Sequence, residues 1–296
     1  MSISNREITS TRAAQNLPTI WASDTQRAIK HEMLLAKLVN TRFESEMRIG
    51  RVLRIPSRSN LNTQTKTEGI SNPITFQAVT ENGQDVTIST YEYAAQLLNE
   101  VVSKQSKYNE RKEIADALGY SLGRGMEVTI AGLFGSFSQI VGTLGADPDD
   151  AVVRRAWQHL DEASVRDDSA WVFGSAATAA LFGNDKFTSR DFVDGKSVIE
   201  SAQLPGLYGY PVFRSNLLTV PATGQTNCAL FNRKSIILIA QIKPTVKEHY
   251  LIQHFANGIT AFQLYTADEA EWVAETPGGD SPGTIGDFGA VLIRTS

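Results

Sequence analysis

Five basic residues, Arg48, Arg51, Arg54, Arg58 and Lys66, follow one another with no acidic residue between them. Such a run can be no more than a solvated basic surface, or it can seat one protein surface on an acidic patch of another. The whole-chain balance argues against a dedicated nucleic-acid binder: 28 Lys and Arg stand against 32 Asp and Glu over 296 residues, a net −4. The distribution is uneven. Met1 to Lys66 holds 11 basic and 5 acidic residues, leaving 17 and 27 for the remainder, so a +6 extension precedes a −10 body.

The other candidates for chemistry read as structure. Gly206-Leu207-Tyr208-Gly209 and Leu122-Gly123-Arg124-Gly125-Met126 match neither a phosphate-binding loop nor a dinucleotide fingerprint. Gly174-Ser175 has no Gly-x-Ser-x-Gly context of a hydrolase elbow. Asp149-Asp150, Asp161-Glu162 and Asp167-Asp168 pair carboxylates, which helix capping and surface solvation explain. Cys228 is the single cysteine, with no histidine near it in sequence to activate a thiol, and it excludes an intrachain disulfide. His31, His159, His249 and His254 are scattered. No catalytic residue, metal ligand or cofactor is expected.

The elements around these residues divide the chain. Residues to Thr19 are polar and patternless, and MSISNREITSTRAAQ lacks the apolar run of a signal peptide. Ser23 or Asp24 caps a predicted helix to about Asn40, with Ile29, Met33, Leu34, Leu38 and Val39 at helical spacing. One helix cannot bury that stripe alone. A strand is predicted over Arg48–Ile55, then a polar stretch, then runs over Ile74–Val79 and Asp85–Tyr91. Asn82-Gly83 between those runs predicts a two-residue hairpin turn. So polar a hairpin is marginal alone and is expected to gain stability from another subunit.

Helices are predicted over Tyr93–Gln105 and about Asn109–Phe137, the second with Ile114, Leu118, Leu122, Met126, Ile130, Leu133 and Phe137 along one stripe. Its glycines imply either close approach of another backbone or a break near Gly123-Arg124-Gly125. Val128–Ala146 carries no charge over 19 positions, but its glycines and hydroxyls make a buried helix end the expected reading, with no membrane association. Beyond Asp147-Pro148 the pattern changes to alternation: a helix over Asp149–Ala163, a strand over Ala170–Phe173, a helix over Ser175–Phe182 capped by Ser175, then strands over Val212–Ser215 and Ala229–Ile242. This alternation implies an α/β layer. Late strands are predicted over Ile259–Tyr265 and Phe288–Arg294, separated by the TPGGDSPG loop.

The middle segment LDEASVRDDSAWVFGSAATAALFGNDKF, followed by LPGLYGYPVFRSN, resembles the axial domain of tailed-phage major capsid proteins with the Hong Kong 97-type fold. The matching positions are Leu160–Ala163, Trp171–Gly174, Ala176–Leu181 and Gly206–Asn216. The preceding arm, polar hairpin and long helix stand in the order of that family's N-terminal arm, extended loop and spine helix. One departure is Arg166, where many relatives have proline.

The resemblance implies an α+β chain: 1–45 as N-terminal arm, 46–91 as extended β-hairpin loop, 92–145 with 243–281 as peripheral domain carrying the spine helix, and 146–242 with 282–296 as α/β axial domain. It implies a subunit of pentamers and hexamers in an icosahedral virion shell, assembled in host cytoplasm with a scaffolding protein and portal around double-stranded DNA bound without sequence preference. Arg48, Arg51, Arg54, Arg58 and Lys66 are then expected to seat the loop on an acidic neighbouring surface. An isopeptide cross-link through Lys66 is not expected, since nothing identifies its asparagine. The competing readings are an encapsulin-type compartment and, in a different class, a soluble α/β enzyme.

Overall fold

The structure is a computed structural model, and it describes residues 30, 33–58, 61, 63–66, 68, 74, 76, 81–106, 110–184, 187, 204, 206–222, 225–273, 285–286 and 289–295. The polar leader to Thr19, the start of the helix expected from Ser23 or Asp24, most of the Ile74–Val79 run and the TPGGDSPG loop lie outside the described residues.

In chain order the elements are α1 (Leu35–Leu38), β1 (Val52–Arg58), β2 (Glu81–Thr87), β3 (Thr90–Asn99), α2 (Glu100–Gln105), α3 (Glu110–Leu133) and β4 (Gln139–Gly142). They continue with α4 (Asp150–Glu162), β5 (Ser169–Phe173), α5 (Ser175–Phe182), β6 (Val212–Arg214), β7 (Thr226–Asn232), β8 (Ile236–Leu251) and β9 (Ala256–Glu269). The short pair β10 (Trp272–Val273) and β11 (Ile285–Gly286) precedes the last strand, β12 (Ala290–Thr295).

Two sheets organise the body. A five-stranded mixed sheet has the order β4-β12-β7-β5-β6, with β12 parallel to β4, β5 parallel to β6, and β7 antiparallel to both of its neighbours. Every residue of β5 is buried, and β7 is buried from Asn227 to Asn232. Strands covered on both faces read as continuous apolar runs, which is why SAWVF and CALF carry the strand signal. Trp171, Phe173, Leu230, Phe231 and Ile293 form the centre of this core with Leu160 of α4 and Leu181 of α5. The second sheet is antiparallel, β3-β9-β8, and α3 lies against one face through Ile114, Leu118 and Leu122, which meet Leu98, Ile259 and Ala261.

Several expectations need correction. Tyr93–Asn99 is strand, not helix; only Glu100–Gln105 is helical. Its Ala, Leu and Gln favour a helix intrinsically, but pairing with β9 from Thr90↔Tyr265 to Asn99↔Ala256 overrides that weak preference. Asn82-Gly83 is not a turn: both lie within β2, opposite Ser57 and Pro56 of β1. The hairpin therefore pairs β1 with β2 across a long connection, and its first strand starts at Val52 rather than Arg48. Among the described arm residues the helix is confined to Leu35–Leu38. Gly174, not Ser175, occupies the N-cap of α5.

The long helix is unbroken from Glu110 to Leu133. What approaches its glycines is side chain, not backbone: a Cβ at Gly123 would come within 2.5 Å of Met33 Sδ, and one at Gly125 within 2.6 Å of Glu92 Oε2. The uncharged run after Val128 leaves the helix at Leu133, turns, and supplies β4 to the five-stranded sheet. No helix among the described residues is long and apolar enough to cross a membrane.

Candidate functional site

The hairpin is rooted by its apolar alternate positions. Leu53 and Ile55 of β1 and Val86 of β2 join Met47, Ile88, Ile237 and Ile239 in a small cluster. The intervening positions face solvent, and there the basic residues stand. Arg54 lies directly opposite Asp85, with Nε 3.5 Å from Oδ1, and Arg58 directly opposite Glu81, with Nη2 2.8 Å from Oε1. Gly83 leaves room for this arrangement, since a Cβ there would come within 2.7 Å of Arg54 Nε. Two of the five cations are thus neutralised within the hairpin by acids invisible to a local reading of β1. Arg48, Arg51 and Lys66 are exposed, and none forms an ion pair with a described residue.

The arm enters the body beside this root. Glu127, in the middle of α3, is fully buried, and its two carboxylate oxygens accept from Leu35 N and Ala36 N, each at 2.9 Å. These are amides at the start of α1, which an intrahelical carbonyl cannot satisfy. Met33 rests on Gly123, and Lys30 Nζ lies 5.2 Å from the Tyr120 ring while donating to Asp116 O at 3.2 Å. Arm residues 30, 33 and 35–36 thus meet successive turns of α3. The arm then joins the body at Asn40, whose N donates to Ile236 O and whose O accepts from Leu238 N, both at 2.9 Å. Gln241 Nε2 donates to Gly50 O at 3.0 Å, tying the hairpin root to β8. The spacing of apolar residues could not reveal Glu127, because its partners lie 92 and 91 residues away.

The positions tested for catalysis are occupied structurally. Asp149 caps α4 by accepting from Val152 N at 2.9 Å. Asp150 accepts from Tyr208 Oη at 2.6 Å and pairs with Arg154 at 3.0 Å. Partial burial and then that hydrogen bond push the Tyr208 hydroxyl up to about 12. Arg166 pairs with Asp161 at 2.7 Å, closing the turn where Ser164 adopts a positive φ. Gly206–Tyr210 forms a tight turn with reciprocal backbone bonds between Leu207 and Tyr210, and Leu207 O accepts from Trp171 Nε1 at 2.9 Å. Cys228 is fully buried, and burial raises its thiol pKa, the reverse of an activated nucleophile.

A cavity of about 370 Å³ lies along α3, lined by Glu92, Tyr120, Ser121, Arg124, Gly125, Val128 and Thr129. The Glu92 carboxylate within it is engaged, accepting from Gln263 Nε2 at 2.8 Å and Tyr265 Oη at 3.1 Å. Tyr265 also contacts Thr129 Oγ1 at 2.8 Å, and burial pushes its hydroxyl up to about 12. This seam joins β3 and β9 to the helix rather than assembling an acid, a base and a nucleophile around free space. No cluster of metal-ligating side chains occurs among the described residues.

No family model matches the chain, and no curated protein matches it. Solved structures do. A chain of Mycobacterium phage Che8 superposes with a TM-score of 0.76 at 18% identity, over 94% of this chain and 96% of that one. The capsid of cyanophage P-SCSP1u gives 0.75 at 12% identity over 96% and 94%, and the mature capsid of bacteriophage PhiM1 gives 0.70 at 12% over 94% and 91%. The protein therefore has a phage capsid fold, mixed helix and sheet, along nearly its whole length. The likeness extends to the capsid of a native GTA particle, with a TM-score of 0.66 at 12% identity over 98% and 99%.

Proposed function

We propose that this chain is the major capsid protein of a tailed bacteriophage or a close viral relative, a structural subunit rather than an enzyme. The observation that carries the reading is end-to-end likeness to capsid chains, over nine tenths or more of both partners. An enzyme grafted on the fold would need a site of its own, and the cavity along α3 has its carboxylate already engaged.

Copies associate into pentamers and hexamers of an icosahedral shell enclosing double-stranded DNA, with a scaffolding protein and portal as partners and the virion as location. The division into arm, extended loop, peripheral and axial domains belongs to the same reading. The β1–β2 hairpin lies over a neighbouring subunit, seated by Arg48, Arg51, Arg54, Arg58 and Lys66. Arg48, Arg51 and Lys66 carry most of that attraction, because Arg54 and Arg58 already face Asp85 and Glu81. Exposed pairs contribute only ~0–1 kcal/mol each, but the contact repeats at every subunit.

Electron microscopy of the expressed protein tests the reading. Closed shells are expected, and particles from the natural source should hold nuclease-protected DNA; protein cargo instead would point to an encapsulin-type compartment. Reversing Arg48, Arg51 and Lys66 to glutamate should leave the monomer folded and impair assembly. Normal assembly by that variant removes the seating role.

A further inference from the structure

The chain contains two Asn-Gly dipeptides, Asn82-Gly83 and Asn257-Gly258. Asn-Gly is prone to spontaneous loss of its side-chain amide, because glycine has no Cβ to hinder attack by its own nitrogen on the neighbouring carboxamide. Both pairs lie in strands, but the strands differ in their surroundings.

Gly258 is buried in β9, the central strand of its sheet, and faces Leu97 of β3 on one side and His249 of β8 on the other. Gly83 lies in β2, whose one partner among the described strands is β1. The ladder fixes which way its amide points. Ile88 N donates to Arg51 O at 2.9 Å, one step beyond the pair Val52↔Thr87. Hydrogen-bonded and non-bonded pairs alternate along an antiparallel ladder, so Leu53↔Val86, Ile55↔Gln84 and Ser57↔Asn82 are bonded and Pro56↔Gly83 is not. Proline, with no N–H to give, fits that position. Gly83 N–H therefore points away from β1, at the open edge of β2, and no described backbone carbonyl receives it. Arg54 assists by charge. A Cβ on Gly83 would come within 2.7 Å of its Nε, and a cation so close favours the deprotonated amide nitrogen that attacks.

We propose that Asn82 is a site of spontaneous covalent modification, converted to aspartate and isoaspartate through a succinimide closed with Gly83, while Asn257 is spared. Gly83 N gives its proton to solvent and bonds to Asn82 Cγ; the Cγ–Nδ2 bond breaks, and the amide leaves as ammonia with a proton from water. Water then opens the cyclic imide. Cleavage at Cγ gives aspartate, and cleavage at the main-chain carbonyl gives isoaspartate; nothing is oxidised or reduced. The strand must open first, since extended backbone holds the amide nitrogen away from the side chain. Asn82-Gly83 lies beyond Val86, the β2 residue anchored in the core, on a polar two-stranded ladder that opens locally, whereas β9 opens only with its sheet. The product adds a negative charge beside Glu81 and Asp85, and isoaspartate also lengthens the main chain, breaking the register that sets Arg58 against Glu81. Both changes oppose a hairpin seated by cations on an acidic neighbour. That consequence, unlike the chemistry, rests on the shell-forming reading: a free subunit loses assembly competence with age, and a hairpin held on a neighbour keeps its amide.

The purified full-length chain, held as free subunits in warm, mildly alkaline buffer, is digested at intervals and read by mass spectrometry. Conversion at Asn82 should run about tenfold or more faster than at Asn257, and denaturant should bring the two rates together. Equal rates in the folded chain, or Asn257 the faster, overturn the assignment. Asn82→Gln, whose longer side chain cyclises far more slowly, should keep its assembly yield through the same incubation while the parent's falls in step with conversion. A parent yield that holds despite conversion overturns the ageing role. Asn82 in shells assembled beforehand should convert about tenfold more slowly than in free subunits; equal conversion overturns the shielding. A chain that forms no shell refutes the shell reading and the shielding together, and the comparison of Asn82 with Asn257 still decides the chemistry.

Discussion

Glu127 is a buried carboxylate whose described partners are two main-chain amides of the arm. No described cation pairs with it. Glu127→Gln keeps the shape and one carbonyl oxygen, but turns an NH₂ group toward an amide N–H that it cannot serve. One buried donor then loses a charged acceptor and the other trades it for a neutral one. A hydrogen bond to a charged group contributes about 1.5–3 kcal/mol and an unsatisfied buried group costs about 1–3 kcal/mol, which places the local penalty near 2–4 kcal/mol. At roughly 1.4 kcal/mol per factor of ten, the Leu35 and Ala36 amides should exchange hydrogen about 30- to 1,000-fold faster. Amides at the centre of the five-stranded sheet, such as Trp171 and Leu230, should be unchanged, because α1 can open locally without unfolding that core. Hydrogen exchange read by mass spectrometry or NMR on the parent and the variant makes the comparison. Unchanged exchange at Leu35 and Ala36 would refute the clamp. Equal acceleration at Trp171 would refute the local character of the opening.

Three further outcomes follow from other contacts. Gly123→Ala gains about 1 kcal/mol of helix propensity but drives its Cβ against Met33 Sδ; the gain should emerge only when Met33→Ala is also present, and additive denaturation free energies across the four-variant cycle would contradict this. Trp171→Phe removes buried volume and the Nε1 bond to Leu207 O, and should destabilise by about 2–4 kcal/mol in chemical denaturation; a loss below ~1 kcal/mol would show that the turn does not depend on that bond. Tyr208 and Tyr265, both pushed up to about 12, should be the last tyrosines to ionise in an ultraviolet titration. Because the folded state holds those protons more tightly than the unfolded chain, their stabilising contribution is complete below pH 10 and is lost as pH rises through about 12. Tyr265→Phe should remove one late-titrating group, and an unchanged titration curve would reject the assignment.

What the sequence determined by itself is the material of each layer. Residues buried on both faces must be apolar throughout, so SAWVF and the strand after Asn227 are legible without any partner in view. The stripe Ile114, Leu118, Leu122 and Ile130 is likewise legible, because a helix of 24 residues repeats its buried face every turn. The motifs from Leu160 to Asn216 were sufficient to point to the capsid fold, since they record local turns and short-range packing. Pairing between distant segments was decided only in three dimensions. The helical preference of Tyr93–Asn99 yields to β9, and the turn signal at Asn82-Gly83 yields to β1, because inter-strand hydrogen bonds outweigh a local propensity of tenths of a kcal/mol. The same holds for charge. Arg54 and Arg58 form part of an unbroken basic run in the chain, yet meet Asp85 and Glu81 in space, and Glu127 reads as one more solvated helix glutamate until the arm folds over it. Composition and periodicity encode which side chains leave water; which partners they find there depends on register, a property of two segments at once.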